Sequence, residues 1–169
     1  MSVIGNTTVL SNFAAAGRLD LLQRLYGVLY VSVEVYAEVQ SGLQEGYSFF
    51  AGLDEHIYPS SESGWIHLTG MLEGEELQRF AAMPGHLHQG EASCLAIAAT
   101  RDWLFLSDDK AARSEAVRLG VSLSGSVGSL VLAVERGLCS LNEANTLLTK
   151  MIQQGYRSPV TDLKDLVQR

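Results

Sequence analysis

The sequence predicts an α/β domain built on a parallel sheet covered on both faces. Two observations predict it. Short, continuously apolar runs alternate with segments whose apolar residues recur at helical spacing. The runs lack the alternation of a strand with one wet face, so both faces are expected to be buried.

The elements follow in order. Val3 and Ile4 read as a short buried strand that breaks at Gly5, Asn6 and Thr7. Val9, Leu10, Phe13 and Ala14 share one helical face, closed by Gly17. Residues 19–26 form a second short helix before Gly27, and residues 28–31 are β-rich. Ser32 is placed to cap the next helix, with Glu34 in its first turn and Val35, Glu38 and Val39 along it. Residues 41–64 change character, with Gly, Ser, acidic residues and Pro59, and read as an irregular excursion with a short helix around 47–53. A strand at 65–68 and a helix at 73–83, ended by Pro84-Gly85, follow.

Beyond Gly90 the signals sharpen. A helix over 91–100 carries Ala92, Leu95, Ala96 and Ala99 at core spacing. Then come a strand over 103–106, a helix over 109–119 closed by Gly120, and a strand over 121–123. A helix over 127–136 closes at Gly137; Ser140 and Glu143 match a capping box for the next, which ends at Gly155. Residues 161–168 read as a terminal helix. The 169 residues suit one domain with a full core and no need of disulfides.

Composition narrows the function. The net charge of -7 argues against coating nucleic acid by broad phosphate neutralisation, but not against an enzyme acting on it. The two cysteines, Cys94 and Cys139, sit in apolar helical stretches and read as buried free thiols. The first ten residues lack the basic and apolar regions of a signal peptide, and no run nears a membrane span, so a cytoplasmic location is expected.

In parallel sheets, ligands bind beyond the carboxyl ends of the strands. Asn6 follows the first strand there, and Asp108 and Asp109 follow the strand ending at Leu106. Glu38 and Glu91 lie on helices whose other faces are apolar. Carboxylates brought to one mouth repel one another and favour a divalent cation, with magnesium or manganese preferring such oxygen ligands.

At this point the chain resembles the PIN-domain family, in its compact prokaryotic branch close to VapC-type toxin ribonucleases. The resemblance rests on Gly90-Glu91-Ala92, on the run from Phe105 through Ser107-Asp108-Asp109-Lys110 to Arg113, and on Leu119-Gly120-Val121. Gly125-Ser126-Val127-Gly128-Ser129-Leu130, Val35-Tyr36-Ala37-Glu38-Val39 and Asn6-Thr7-Thr8-Val9-Leu10 fit in the same order. It implies a three-layer α/β/α fold with a central, mostly parallel sheet. It also implies acidic Mg or Mn ligands at Glu38, Glu91 and Asp108 or its neighbour Asp109, and cleavage of RNA. A small antitoxin protein and a homodimer are further expectations from that branch.

Asn6 departs from the pattern, because the family normally carries aspartate there. An amide oxygen can still coordinate a cation but brings no charge. The lost attraction is about 4 kcal/mol for unit charges ~4 Å apart at an effective dielectric of about 20. Desolvation offsets part of this, so metal affinity is expected to fall roughly ten- to a thousandfold. The alternative function is therefore a catalytically impaired domain that binds RNA or protein.

Each residue also has a plainer reading. Glu34 and Glu38 can be solvated acids, and Asp108 or Asp109 can cap the helix that follows, with Asp109 pairing to Arg113. Lys110 and Arg113 can meet phosphate, though surface salt bridges explain them as well. The segment from Gly125 to Gly128 lacks a nucleotide-binding lysine and reads as a tight turn. His86 and His88 have no third ligand nearby for zinc, and Trp65, Trp103 and Phe105 read as core.

Overall fold

The computed structural model describes residues 1–46 and 52–168. Among these the strands are β1 (Val3–Gly5), β2 (Leu29–Ser32), β3 (Ile57–Tyr58), β4 (Ile66–Thr69), β5 (Leu104–Leu106) and β6 (Leu123–Ser124). They form one sheet in the order β3-β4-β2-β1-β5-β6, with every pair parallel. The helices are α1 (Thr7–Ala15), α2 (Leu19–Tyr26), α3 (Val33–Gln44), α4 (Glu75–Ala81), α5 (Gln89–Arg101), α6 (Lys110–Leu119), α7 (Ser126–Glu135) and α8 (Leu141–Gln153).

The helices make two layers. On one side α5 packs against β1, β2 and β5 and against α3, α4 and α6. On the other, α1 and α2 pack against the sheet and against α7, and α8 closes over α1 and α7. The architecture is therefore the three-layer α/β/α arrangement. Its core is apolar: Ile4, Phe13, Leu21, Leu22, Leu95, Ile97, Phe105, Leu106 and Leu130 are fully buried. Ile4 lies between Tyr30 of β2 and Phe105 of β5, so the central strand is covered by paired backbone on both edges.

β1 has β2 on one side and β5 on the other. The chain reaches β2 through α1 and α2 and comes back to β5 only after β3, β4, α4 and α5. This is a topological switch point, where the loops after neighbouring strands diverge to opposite faces and leave a crevice.

Capping follows the sequence. Ser32 accepts from the Val35 amide and Ser140 from the Glu143 amide, each at 3.0 Å. Gly120 ends α6 in the left-handed conformation, at φ +70°.

The structure differs at three places. Residues 161–168 form a turn rather than a helix: the Leu166 and Val167 amides both donate to the Leu163 carbonyl. Asn145 of α8 explains it, donating to Asp162 at 3.0 Å and accepting the Leu163 amide at 2.9 Å. The Asp162 carboxylate also takes the Lys164 amide, so side chains capture the donors that a helix would use. The last strand falls at Leu123–Ser124, since the Val121 amide is still tied to Ala116. Within 41–64, α3 runs to Gln44, and a single 3₁₀ turn (Leu53–His56) leads into β3. The helix expected around 47–53 falls largely outside the described residues.

One ion pair fastens α4 to the body. Arg101 at the end of α5 donates to both oxygens of Glu76, at 2.6 and 3.0 Å. It also bonds Thr69 and the Gly70 carbonyl and lies over the Trp103 ring. Glu76 is 2% exposed, so its charge depends on that partner. Arg101 holds the Glu76 carboxyl below its usual range. The stabilisation is thus present above the ordinary carboxylate pKa and is lost as pH falls through the lowered one. Glu76→Ala is expected to cost about 3 kcal/mol at neutral pH, the low end for breaking a buried pair, because Arg101 keeps some water. Urea denaturation at pH 7 and pH 3 checks this; the difference between variant and parent should shrink at the lower pH.

Candidate functional site

The site is built where β1 and β5 end. Asn6 continues β1 for one residue, with its amide donating to the Leu106 carbonyl at 3.3 Å. Its side chain, 2% exposed, caps α1. The Asn6 carbonyl oxygen accepts from the Thr8 amide at 3.2 Å and the Thr8 hydroxyl at 2.7 Å. Its Nδ2 donates to the Ser107 hydroxyl at 2.9 Å. Both ends of the amide are therefore engaged, and they join the ends of the two strands.

Asp108 and Asp109 diverge from there. Both oxygens of Asp108 are taken up. Oδ1 accepts from the Ser126 amide at 2.8 Å and the Tyr156 hydroxyl at 3.4 Å. Oδ2 accepts from Asn12 at 2.8 Å and from the Ser126 hydroxyl. Asp108 thus joins α1, the start of α7 and the segment after α8. Burial, and then the nearby Asp108 carboxylate, push the Tyr156 phenol up to about 12. Asp109 faces the other way as the N-cap of α6, and only its Oδ2 is bonded, to the Ala112 amide at 2.9 Å.

Glu38 and Glu91 repeat the Asp109 arrangement. Oε1 of Glu38 accepts from the Gly90 amide at 3.1 Å, and Oε2 of Glu91 accepts from the His88 amide at 2.9 Å. Gly90 is the residue that permits this approach, because a Cβ there would lie 2.6 Å from Glu38 Oε1. Among the described residues the second oxygens of Glu38, Glu91 and Asp109 make no hydrogen bond.

Electrostatics ties these three acids together. Burial raises the Glu91 carboxyl above its usual range, and the charges of Asp109 and Glu38 push it further. Glu38 stands at an exposed rim, yet the packing around its carboxyl still raises it. Mutually repelling carboxylates with unbonded oxygens fit a divalent cation by charge and donor type. The shared geometry is open: among the described residues no group of three or more His, Cys, Asp or Glu stands close enough to hold a metal ion directly.

The remaining readings resolve individually. Among the described residues Arg113 pairs with no carboxylate; its Nη1 donates to the Ser107 and Ser124 carbonyls at 2.9 and 3.3 Å, tying the ends of β5 and β6. The salt bridge to Asp109 is absent because Asp109 is turned into its own helix cap. Gly125 does more than turn the chain, since a Cβ would lie 2.5 Å from Asp108 Oδ1 and 2.9 Å from Arg113. His86 and His88 are exposed, and Phe105 and Trp65 are core. Trp103 is half-buried and stacks on Tyr30 with centroids 4.7 Å apart. Cys94 and Cys139 are buried free thiols, and burial pushes Cys94 up to about 12. Sequence reasoning missed Asn12, Ser126 and Tyr156. None carries a distinctive spacing, and only the fold brings them to Asp108.

The fold and site together define an α/β domain with an acidic mouth at the switch point of a parallel sheet. The chain belongs to the PIN-domain family: the family model DUF3368, described as a PIN domain, matches residues 2–169. PIN domains are in general divalent-metal-dependent nucleases. Among solved structures it is similar to a PilT N-terminus domain protein from the archaeon Sulfolobus solfataricus P2. The TM-score is 0.51 at 16% identity, covering 80% of this chain and 95% of that one, a likeness of fold alone. A search of curated proteins found no match.

Two outcomes are expected. Glu91→Gln keeps an oxygen for the His88 amide but removes the repulsion. The raised carboxyl binds its proton more tightly in the folded chain, so its contribution is full at low pH and is lost as pH rises through the raised value. The variant should therefore gain about 0.5 kcal/mol at pH 7, a value kept small by solvent screening, and nothing at pH 4. Thermal melts at the two pH values check it. Gly125→Ala should cost about 1–3 kcal/mol by forcing Asp108 and Arg113 aside, measured by denaturant titration.

Proposed function

We propose that this chain is a divalent-metal-dependent endoribonuclease of the toxin-antitoxin type, with Glu38, Glu91 and Asp109 as the residues that hold Mg or Mn. The reading is carried by how the carboxylate oxygens are used. Each of those three gives one oxygen to a backbone amide and keeps the other unbonded, whereas Asp108 has none to spare. On this reading Asp108 is a positioning residue and Asp109 faces the metal. Asn6 lines the site without charging it.

The cation, when bound, supplies positive charge to a phosphodiester and lowers the pKa of a water. The chain does the rest. The amides of Gly90, His88 and Ala112 fix the carboxylates in advance, so little reorganisation accompanies the reaction. Glu91 keeps one oxygen unbonded among the described residues, through which it can hold and orient a water beside the cation. The resemblance to the VapC-type branch supports RNA as substrate, a homodimer, and a small antitoxin that inserts a peptide into the acidic mouth.

Two observations favour a second reading, an impaired PIN domain that binds RNA or protein. The Asn6 amide is occupied by Thr8 and Ser107, and direct metal geometry is lacking among the described residues.

Single-turnover cleavage of varied RNAs with Mg²⁺ and with Mn²⁺, beside Mn²⁺ titration calorimetry, tests the proposal. Glu91→Gln and Asp109→Asn should abolish cleavage and weaken Mn²⁺ binding by about tenfold or more, in line with the loss of roughly 1.4 kcal/mol or more. Asp108→Asn should lower stability while leaving Mn²⁺ affinity within about threefold, less than 1 kcal/mol. Asn6→Asp should strengthen Mn²⁺ binding and raise the rate, and should lower stability without metal because it buries a charge. Inert parent and Asn6→Asp proteins that still bind RNA tightly would establish the binding-module reading instead.

A further inference from the structure

Glu34 is an acid beside the mouth with no role so far. It stands in the first turn of α3, just past the end of β2 and one helical turn before Glu38. An acid solvated on an outer face would keep both oxygens in water. Glu34 does not: among the described residues its Oε2 is shut off from solvent and has no hydrogen-bond partner. Such an oxygen is costly, because it gives up water and receives no donor in return.

Local explanations fall short. The helix dipole favours an acid in a first turn but supplies no hydrogen bond. The amide next in sequence is already used, since Val35 donates to the Ser32 hydroxyl at 3.0 Å. No ion pair among the described residues includes Glu34. Glu38, one turn on, adds like charge and raises the cost.

Position points to what the oxygen lacks. Glu34 and Glu38 line one open cavity of about 500 Å³, together with Thr7 and Gln89. Thr7 follows Asn6, and Gln89 precedes the Gly90 whose amide holds Glu38. β1 and β2 are parallel neighbours, so Asn6 and Glu34 follow strands that end at the same edge of the sheet. The uncharged position is thus one residue from the cavity that the orphaned acid lines. Glu34 and Glu38 each keep a carboxylate oxygen that no described residue bonds.

We infer that Glu34 is a further acid of the cation site, supplying beside Glu38 the negative charge that Asn6 withholds. The inference rests on the metal-dependent reading of the mouth and extends its ligand set. A donor on α3 takes over from one at the end of β1. Among the described residues no three acids converge, so waters complete the shell, as Mg and Mn allow.

Cation binding is read without catalysis, by Mn²⁺ titration calorimetry and by the rise in melting temperature that Mn²⁺ produces. Glu34→Gln and Glu34→Ala should each weaken Mn²⁺ binding about tenfold, by removing one charge near the ion, and should shrink that rise. Without metal their melting temperatures should hold or rise, because an unsatisfied charge has gone. Glu45→Gln, in the same cavity but at the far end of α3, should change the affinity less than about twofold. Asn6→Asp added to Glu34→Gln should restore the affinity, since either acid can furnish the charge. Affinities within about twofold of the parent in both Glu34 variants, while Glu91→Gln weakens binding, would overturn the inference and spare the site. A marked loss of metal-free stability in both would also overturn it, because the oxygen would then have a partner inside the protein. Mn²⁺ binding that depends on Glu34 in a protein that cuts no RNA would uphold the inference and remove the nuclease reading. A parent with no Mn²⁺ affinity would remove both.

Discussion

Everything at the site depends on a buried polar seam between the ends of two neighbouring strands. Asn6 closes β1, Ser107 closes β5, and the amide of one bonds the hydroxyl of the other at 2.9 Å with both residues almost fully buried. The Ser107 hydroxyl also accepts the Asp109 amide at 3.1 Å, and the Thr8 hydroxyl accepts the Asp108 amide at 2.8 Å. Buried donors left without partners would cost about 1–3 kcal/mol each, so the seam holds as a unit or not at all. It sets where α1 and α6 begin, and hence where the acids stand.

That seam gives a physical sense to the uncharged position. A carboxylate in place of Asn6 would be nearly fully buried beside a mouth that already holds repelling acids. Without a cation it would be expensive; with one it would be a strong ligand. Asparagine removes that dependence. It supplies the acceptor that caps α1 and the donor that reaches Ser107, and both act whether or not metal is bound. The exchange favours a fold independent of metal over tight metal binding.

The same logic separates the adjacent aspartates. One step along the chain after a strand reverses the direction of the side chain. Asp108 therefore enters the layer containing α1 and α7, and Asp109 turns toward α5 and Glu91. Asp108 is rendered structural by the number of its donors. Asp109 remains available because its helix needs only one of its oxygens.

The sequence by itself determined the layered α/β class, the helix caps at Ser32 and Ser140, and the buried runs around Ile4 and Phe105. These rest on periodicity and local hydrogen bonding, which act within a few residues. It also determined which residue types were candidates, because carboxylates after buried strands are rare and conspicuous. Tertiary structure alone decided the rest. It turned Asp108 from the mouth through Asn12, Ser126 and Tyr156, which lie 96, 18 and 48 positions away. It replaced the expected terminal helix with a turn, because Asn145 took the Leu163 amide and Asp162 the Lys164 amide in a segment with marginal helical signal of its own. A side chain's direction depends on partners brought close by the sheet's crossovers, and no local pattern encodes those partners.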